Sequence, residues 1–176
     1  MSEEKEKWHG LLALSTAIMA VLAALTTLYM GKFSSRAIMA QGQESDQWAY
    51  YQAKSIKQST FEISRNALDL QYRSQRGLSP EVIGDYEKAL RKYGDDIKRY
   101  DGEKKEIKDK AESIAKIKLK AQEMGGDFAY ALIFLQIALM LASISSLTKR
   151  KYLWYIALLC NIGWIFFFVD AWLLFY

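Results

Sequence analysis

Few residues of this chain have side chains that could catalyse a reaction or bind a metal. His9 is the only histidine and Cys160 the only cysteine among 176 residues. One cysteine cannot form a disulfide within the chain, and a zinc or haem site needs more nitrogen and sulfur ligands than these two residues supply. The sequence also lacks a phosphate-binding loop, a dinucleotide fingerprint, a Ser/His/Asp set and an HExxH motif. We therefore expect no catalytic residue, no cofactor and no metal, and interpret the chain as non-enzymatic.

The long charged middle of the chain also argues against a nucleic-acid partner. Residues 32–127 hold 19 Lys and Arg against 16 Asp and Glu. A mixture this close to balance is typical of a solvated helical surface, whereas a nucleic-acid interface concentrates positive charge.

Three apolar segments are each long enough to cross a bilayer of roughly 30 Å, since a helix rises about 1.5 Å per residue. They span residues 11–31, 128–148 and 152–176, after a tail of residues 1–10. A cleaved secretory signal is the alternative for the first segment, but its apolar run is too long for one. Only the basic loop of residues 149–151 separates the last two segments, so these two must be antiparallel neighbours.

The basic loop also predicts the orientation, because short positively charged loops stay in the cytoplasm. The loop and the N-terminus are then cytoplasmic, and residues 32–127 and the C-terminus lie on the opposite side of the membrane. Positive charges near both ends of residues 32–127 oppose this orientation. Segments longer than about 60 residues cross the membrane largely regardless of charge, so we give those charges less weight.

Residues 32–127 are predicted to fold as a helical hairpin that turns at residues 77–80. Gly77 favours a helix end, Ser79 is a suitable N-cap, and Pro80 suits the first helical position. Apolar residues recur at alternating steps of three and four in both arms, as in the seam of a coiled coil. The predicted seam of the first arm is Met39, Gly42, Asp46, Ala49, Ala53, Ile56, Thr60, Ile63, Ala67 and Leu70. That of the second arm is Ile83, Tyr86, Leu90, Tyr93, Ile97, Tyr100, Lys104, Ile107, Ala111 and Ile114.

The two seams together predict how side chains meet across the hairpin. Folding at Gly77 places tyrosines of the second arm opposite small residues of the first, in the pairs Tyr86–Ala67, Tyr93–Thr60 and Tyr100–Ala53. The first arm is expected to continue from the first apolar segment as one helix. The pair Gly125-Gly126 is the predicted break or hinge before the second apolar segment, because two glycines weaken a helix by about 2 kcal/mol relative to two alanines.

Two groups in the hairpin are candidate interaction sites. Asp46 and Lys104 fall close together in the predicted pairing, as an ion pair that either fixes the register or forms part of a binding site. Trp48, Tyr50 and Tyr51 cannot all face one partner helix. We therefore expect some of these rings to contact another subunit, with ordinary packing beside the seam as the alternative.

Three polar residues lie inside the apolar segments. Asp170 is costly there and indicates either a salt bridge to Lys32 or Arg36, or a pore-lining or proton-accepting role. Asn161 and Gln136 are expected to form hydrogen bonds between helices.

Three stretches of the sequence resemble a bacterial family of membrane proteins catalogued as domain of unknown function 4337. They are residues 12–17 (LALSTA), residues 45–57 (SDQWAYYQAKSIK) and residues 144–150 (ISSLTKR). Members of that family often have a longer acidic, histidine-containing N-terminal tail, which is reduced here to residues 2–9. The resemblance implies a bacterial inner membrane and implies no activity.

These observations predict an all-α membrane protein with three transmembrane helices and a long antiparallel coiled-coil hairpin inserted between the first and second. The first functional hypothesis is a homo-oligomeric scaffold or assembly protein, whose partners are the lipid bilayer and further copies of the chain. The alternative is a subunit of an oligomeric ion channel or small transporter in which Asp170 or Asn161 lines the path.

Overall fold

The computed structural model describes residues 2–173, with side chains from Trp8 onward, and the described part consists of helices joined by two short connections. Helix α1 is Ser2–Ser74, α2 is Pro80–Thr148 and α3 is Lys151–Leu173. Each of the three helices contains a stretch long and apolar enough to cross a membrane. The last three residues of the third predicted segment lie outside the described part.

The two helix breaks are local and follow from the residue types. Gly77 has φ +78°, a left-handed conformation that glycine adopts without steric cost. The Ser79 hydroxyl accepts a bond from the Val82 amide at 3.4 Å, so Ser79 caps α2 and Pro80 takes the first helical position. At the second break Lys149 has φ 57°, and the buried Ser145 hydroxyl donates to the Arg150 carbonyl at 2.9 Å.

The predicted break at Gly125-Gly126 is wrong, because α2 runs through both residues without interruption. A Cβ built on Gly125 would lie 3.5 Å from the Ser34 hydroxyl oxygen and 3.8 Å from the Phe33 Cβ. Gly125 is buried against α1, where a Cβ would make ordinary van der Waals contacts. The flexibility that glycine lends an isolated helix is overridden here by packing.

The described residues form two compact units. The three-helix unit comprises Met1–Met39 and Ile117–Tyr176, and the two-helix unit comprises Ala40–Lys116.

In the three-helix unit, α1 and α3 run parallel. Three side-chain contacts join them: Trp154 to Ser15, Asn161 to Met19, and Trp164 to Thr26, with residue-number differences of 139, 142 and 138. A nearly constant difference in residue number means that α1 and α3 run in the same direction. Helix α2 therefore runs antiparallel to its two neighbours.

A ring cluster closes one end of the three-helix unit. Phe128 is fully buried and stacks on Tyr29 and Phe33 at centroid distances of 5.5 and 5.6 Å. Phe168 of α3 meets Phe128 edge-on at 5.4 Å. At the other end of the unit the Lys151 ammonium lies 5.8 Å from the Trp8 ring centroid, so the start of the first apolar segment and the basic loop are neighbours.

In the two-helix unit the segments of α1 and α2 run antiparallel. Contacts join Tyr72 to Tyr86, Phe61 to Tyr93, and Lys54 to Glu103, so the α1 number falls as the α2 number rises. All ten residues predicted to face inward on α2, from Ile83 to Ile114, are buried or half-buried.

The predicted inward face of α1 is wrong. Every residue of that series, from Met39 to Leu70, is exposed. The face that packs on α2 is offset around the helix and carries Tyr51, Lys54, Phe61, Leu68 and Tyr72, which are all half-buried. We call the exposed series within the two-helix unit the α1 stripe. It consists of Gly42, Asp46, Ala49, Ala53, Ile56, Thr60, Ile63, Ala67 and Leu70.

The predicted pairing of tyrosines with small residues is therefore also wrong. Tyr86 lies against Tyr72 at a centroid distance of 5.3 Å, and its hydroxyl donates to the Gln75 side chain at 3.3 Å. Phe61 lies between Tyr93 and Tyr100, at 5.9 and 5.6 Å. Ring against ring buries more apolar area than ring against alanine, and aromatic pairs add a favourable term of about 0.5–1.5 kcal/mol.

Substituting Gly163 tests the packing of α2 on α3. A Cβ at Gly163 would lie 2.7 Å from the Phe134 Cδ1, and stacking on Phe167 at 5.7 Å holds that ring. We expect Gly163→Ala to lower the free energy of unfolding by about 1–3 kcal/mol through overpacking. Thermal unfolding in detergent, followed by circular dichroism, measures the effect. The control is Gly126→Ala, because nothing lies within 4 Å of a Cβ there. Equal stability of the two variants would contradict the packing described.

Candidate functional site

The densest set of charged and aromatic side chains lies in the middle of the two-helix unit. Lys54 of α1 forms an ion pair with Glu103 of α2. Arg99, one turn before Glu103, contacts Asp96 at 2.9 Å and Glu103 at 3.6 Å. The Lys54 side chain is only 16% exposed, so the pair is partly shielded from water although it lies near the surface.

Aromatic rings surround the Lys54 ammonium. It lies 5.2 Å from the ring centroid of Tyr50 and 5.2 Å from that of Tyr100. The Arg99 guanidinium lies 5.0 Å from the Tyr100 centroid. Each cation is attracted by the negative ring face, and the contact of Lys54 with Tyr100 joins α1 to α2.

The ion pair changes the protonation of both partners. The hydrogen bond between them raises the pKa of Lys54 above its usual 10.5, and a second hydrogen bond to Tyr50 acts in the same direction. The bond from Lys54 lowers the pKa of Glu103 below its usual 4.5. Both groups are therefore held in their charged forms, and neither is poised to exchange a proton near neutral pH.

The ion pair and the contact of Lys54 with Tyr100 join α1 to α2. The cations of this arrangement are matched by carboxylates or ring faces, and it contains no nucleophile beside a base. Among the described residues no group of three or more His, Cys, Asp or Glu side chains could hold a metal. We call Tyr50, Lys54, Arg99, Tyr100 and Glu103 the cation–ring cluster.

The predicted pair of Asp46 and Lys104 is not brought together. Lys104 lies 3.9 Å from Asp101 on its own helix and 5.7 Å from the ring centroid of Tyr51. Asp46 belongs to the exposed α1 stripe, on a different face. The predicted contact required the α1 series to face α2, which it does not.

The three aromatic candidates divide between the two sides of α1. Tyr51 is half-buried and faces Lys104 of α2. Trp48 and Tyr50 are 36% and 50% exposed, and the Trp48 ring meets the Tyr51 ring edge-on at 5.7 Å. Two of the three rings are therefore accessible from outside the chain.

The polar residues of the apolar segments have different surroundings. The Asn161 amide donates to the Ala157 carbonyl at 2.9 Å and lies 3.7 Å from the Met19 sulfur, inside the three-helix unit. Gln136 is exposed on the outer face of α2. Asp170 is half-buried, and no ion pair between described residues joins it to Lys32 or Arg36. Its negative charge acts on the neighbouring Asp127, whose pKa is raised chiefly by burial and also by Asp170.

Sequence reasoning missed Lys54, Glu103 and Phe61 as contact residues. Their contacts depend on which face of α1 meets α2, and the more regular apolar series lies on the other face. A usable signal was the set of rings at Tyr51, Phe61 and Tyr72, spaced 10 or 11 residues apart, which is about three helical turns.

The ion pair predicts how the stability of the two-helix unit depends on pH. The pKa of Glu103 is lower in the folded protein than in the unfolded chain. Its contribution to the free energy of unfolding is therefore fully present above pH 4.5 and is lost as the pH falls through the folded pKa. The pKa of Lys54 is higher in the folded protein than in the unfolded chain. Its contribution to the free energy of unfolding is therefore fully present below pH 10.5 and is lost as the pH rises through the folded pKa. We expect Lys54→Met to destabilise the protein at about pH 7 and to have a smaller effect at about pH 3, because Glu103 is protonated in the unfolded chain below its ordinary pKa and the contribution of the ion pair declines there.

Urea unfolding followed by circular dichroism measures this dependence. The control is Lys88→Met, which removes the same charge from an exposed position. An effect of Lys54→Met that does not change between the two pH values would show that the ion pair adds nothing.

The comparisons with known proteins agree with the sequence resemblance. No curated protein and no solved structure matches the chain. A family model described as "Domain of unknown function (DUF4337)" matches residues 8–174. Because this match covers almost the whole chain, the protein belongs to the DUF4337 family.

Proposed function

We propose that the protein is a non-enzymatic scaffold of the bacterial inner membrane, whose copies associate through the α1 stripe. Its three apolar helical stretches span the bilayer, and the two-helix unit is an antiparallel coiled-coil hairpin outside it. Helix α3, with 23 residues, is about 35 Å long and matches a hydrocarbon core of roughly 30 Å.

The exposure of the α1 stripe is the observation that carries this proposal. Its largest side chains, Ile56, Ile63 and Leu70, are 68%, 69% and 69% exposed. The stripe keeps the three–four spacing of a coiled-coil seam over 29 residues, from Gly42 to Leu70. Within one chain α2 packs on a different face, so this seam has no partner. A regular apolar seam exposed over eight turns is typical of a surface that pairs with another helix.

The residues beside the stripe favour a second copy of the chain as that partner. When identical faces meet, each charge meets its own copy, and like charges in contact are destabilising. The flanking positions hold one charged residue, Lys57, among nine. The nine are Gln43, Ser45, Tyr50, Gln52, Lys57, Ser59, Ser64, Asn66 and Gln71. Apart from Asp46 within the stripe, this face can therefore meet itself with little repulsion, unlike the exposed face of α2, which is crowded with both signs of charge.

The geometry of insertion makes the pairing parallel. Copies inserted in one membrane share an orientation, so their α1 helices meet with matching residues side by side. Ile56, Ile63 and Leu70 then form repeated apolar layers, separated by layers of Ala53, Thr60 and Ala67. Asp46 is the charged exception near one end, and a polar residue in a seam selects register and copy number at a cost in stability.

Gln136 supports association within the membrane. It lies eight residues into the second apolar segment, about 12 Å from the end of the segment, between the exposed residues Ile133, Ile137 and Met140. An amide facing lipid has no hydrogen-bond partner, whereas the same amide facing another copy can bond to it. We infer that this face of α2 also lies between copies.

The contact of Lys151 with Trp8 supports the proposed orientation. It puts the basic loop and the first turns of the first apolar segment at one end of the three-helix unit. That end carries the short positive loop, so we place it in the cytoplasm and the two-helix unit in the periplasm.

The channel or transporter alternative has less support. The amide nitrogen of Asn161 is already bonded inside the unit, and Asp170 lies beside the ring cluster at one end. Neither residue faces outward in the middle of an apolar segment, as a path between copies requires.

Cysteine cross-linking tests contact through the α1 stripe. In a Cys160→Ala background, Ile63→Cys introduces one thiol in the middle of the stripe. We expect membranes treated with a mild oxidant to yield a disulfide-linked dimer, because parallel pairing places matching residues within bonding range. The control is Glu87→Cys, an exposed position on α2, which should stay monomeric. Equal cross-linking of both variants, or none of Ile63→Cys, would refute the interface.

A charge within the α1 stripe should dissociate the copies without unfolding the chain. We expect Ile56→Glu combined with Ile63→Glu to shift the detergent-solubilised protein to monomers in native mass spectrometry. The helical signal should be retained, because both side chains are exposed in the single chain. Val82→Glu, at another exposed apolar position, is the control. A wild-type protein that is monomeric under the same conditions would contradict the proposal.

Replacing Gln136 tests the second contact. Gln136→Leu removes the hydrogen bond, and interhelical bonds of this kind contribute about 0.6–2 kcal/mol in membranes. The expected result is a three- to thirtyfold weaker association in detergent, measured by dilution in native mass spectrometry. Ile137→Leu keeps the same face apolar and should leave association unchanged.

A further inference from the structure

We propose that a pocket between α1 and α2 binds the phosphate of an anionic phospholipid through Arg36 and Lys120. The pocket lies within the three-helix unit and has a volume of about 250 Å³. Its lining consists of Phe33 and Arg36 from α1 and of Ile117, Lys120, Ala121 and Met124 from α2. The inference rests on the proposed insertion in a membrane and does not depend on the contact between copies.

The inner wall of the pocket is apolar and firmly held. Phe33, Ala121 and Met124 are buried. The Phe33 ring is stacked on Phe128 at 5.6 Å, with an interplanar angle of 9°. Because the ring cluster fixes this wall, the pocket is formed before any ligand arrives, so little binding energy is lost in ordering it.

The rim of the pocket is positively charged. Arg36 and Lys120 are exposed and line the pocket, one from each helix. A guanidinium can donate two parallel hydrogen bonds to a phosphate, and an ammonium adds a strong point charge. The rim is therefore complementary to a phosphate and the wall to hydrocarbon.

The position of the pocket along the helices matches the structure of a lipid, in which the phosphate lies outside the hydrocarbon. Arg36 lies six residues, about 9 Å, beyond Met30, where the uncharged run of α1 ends. Lys120 lies eight residues, about 12 Å, before the second apolar segment begins at Phe128. The headgroup layer is about 5–7 Å thick, and long basic side chains reach back toward it. Arg36 begins just outside this layer, and because helical side chains lean toward the N-terminus its guanidinium reaches back into it. Lys120 lies farther out and adds positive charge beside the phosphate, while Phe33 lies nearer the hydrocarbon.

The size of the pocket favours a lipid over a free ligand. Pockets that enclose a whole small molecule have volumes of about 300–1,000 Å³. This smaller space suits a phosphate and the first methylenes of a lipid whose remainder stays in the bilayer. A free phosphate would lose hydration against Phe33 and Met124 without gaining an apolar contact.

Native mass spectrometry of the purified full-length protein tests the assignment. Phosphatidylglycerol and phosphatidylcholine are the lipid probes, and inorganic phosphate is the probe for a free anion. We expect phosphatidylglycerol adducts in excess of phosphatidylcholine adducts. In the double variant Arg36→Gln/Lys120→Gln the phosphatidylglycerol affinity should fall about thirtyfold, since each basic residue contributes about fivefold to anionic lipid binding.

The matched control is Lys116→Gln/Lys118→Gln, which removes the same charge from positions next to the pocket but outside its lining. Equal losses in the two double variants, or no loss in the first, would overturn the site. Displacement of phosphatidylglycerol by millimolar inorganic phosphate would overturn the lipid assignment. The same spectra also give the oligomeric state, which separates failure of the lipid site from failure of the proposed association between copies. The Arg36→Gln/Lys120→Gln variant should remain associated. If it loses lipid binding but stays associated, the scaffold proposal is unaffected.

Discussion

The stacking of rings between α1 and α2 is the constraint on which the two-helix unit depends. A helix pair separated by a short turn can present only one face of each helix to the other, and the largest side chains decide which face that is. Phe61 lies between Tyr93 and Tyr100, and Tyr72 lies against Tyr86. Once these rings are in contact, the rotation of α1 is fixed, Lys54 reaches Glu103, and the smaller apolar residues face outward. The exposure of the α1 stripe is a consequence of the ring contacts.

The choice between two possible faces of α1 also explains what could be predicted from the sequence. The apolar segments, the turn at Gly77 and the inward face of α2 depend on length, local residue preference and one dominant series of tyrosines. They were predictable for that reason. Helix α1 carries two series at helical spacing, one of small and branched residues and one of rings separated by polar residues. Periodicity identifies both but does not say which of them meets α2, because that depends on the buried area of the contact.

The candidate site was predictable only in part for the same reason. Trp48, Tyr50 and Tyr51 stood out by composition, and two of them are indeed exposed. Predicting the ion pair of Lys54 with Glu103 requires the rotation of α1 about its axis to within one residue. The sequence does not give that rotation, so the predicted pair of Asp46 and Lys104 was wrong. Gly125 shows a further limit: a glycine weakens an isolated helix, yet α2 is continuous at Gly125 where it packs on α1, and the local sequence does not show that neighbour.

The turn between α1 and α2 has a practical consequence. Residues 73–77 are all exposed, and the chain there is held mainly by the Gly77 conformation and the Ser79 cap. Such a short polar connection tolerates inserted residues better than the helices beside it. A protease recognition sequence placed after Gly77 would give a single cut that divides the protein into two fragments of similar size. In sealed vesicles of known sidedness, cleavage or protection at that one bond would report directly which compartment the charged half of the molecule occupies.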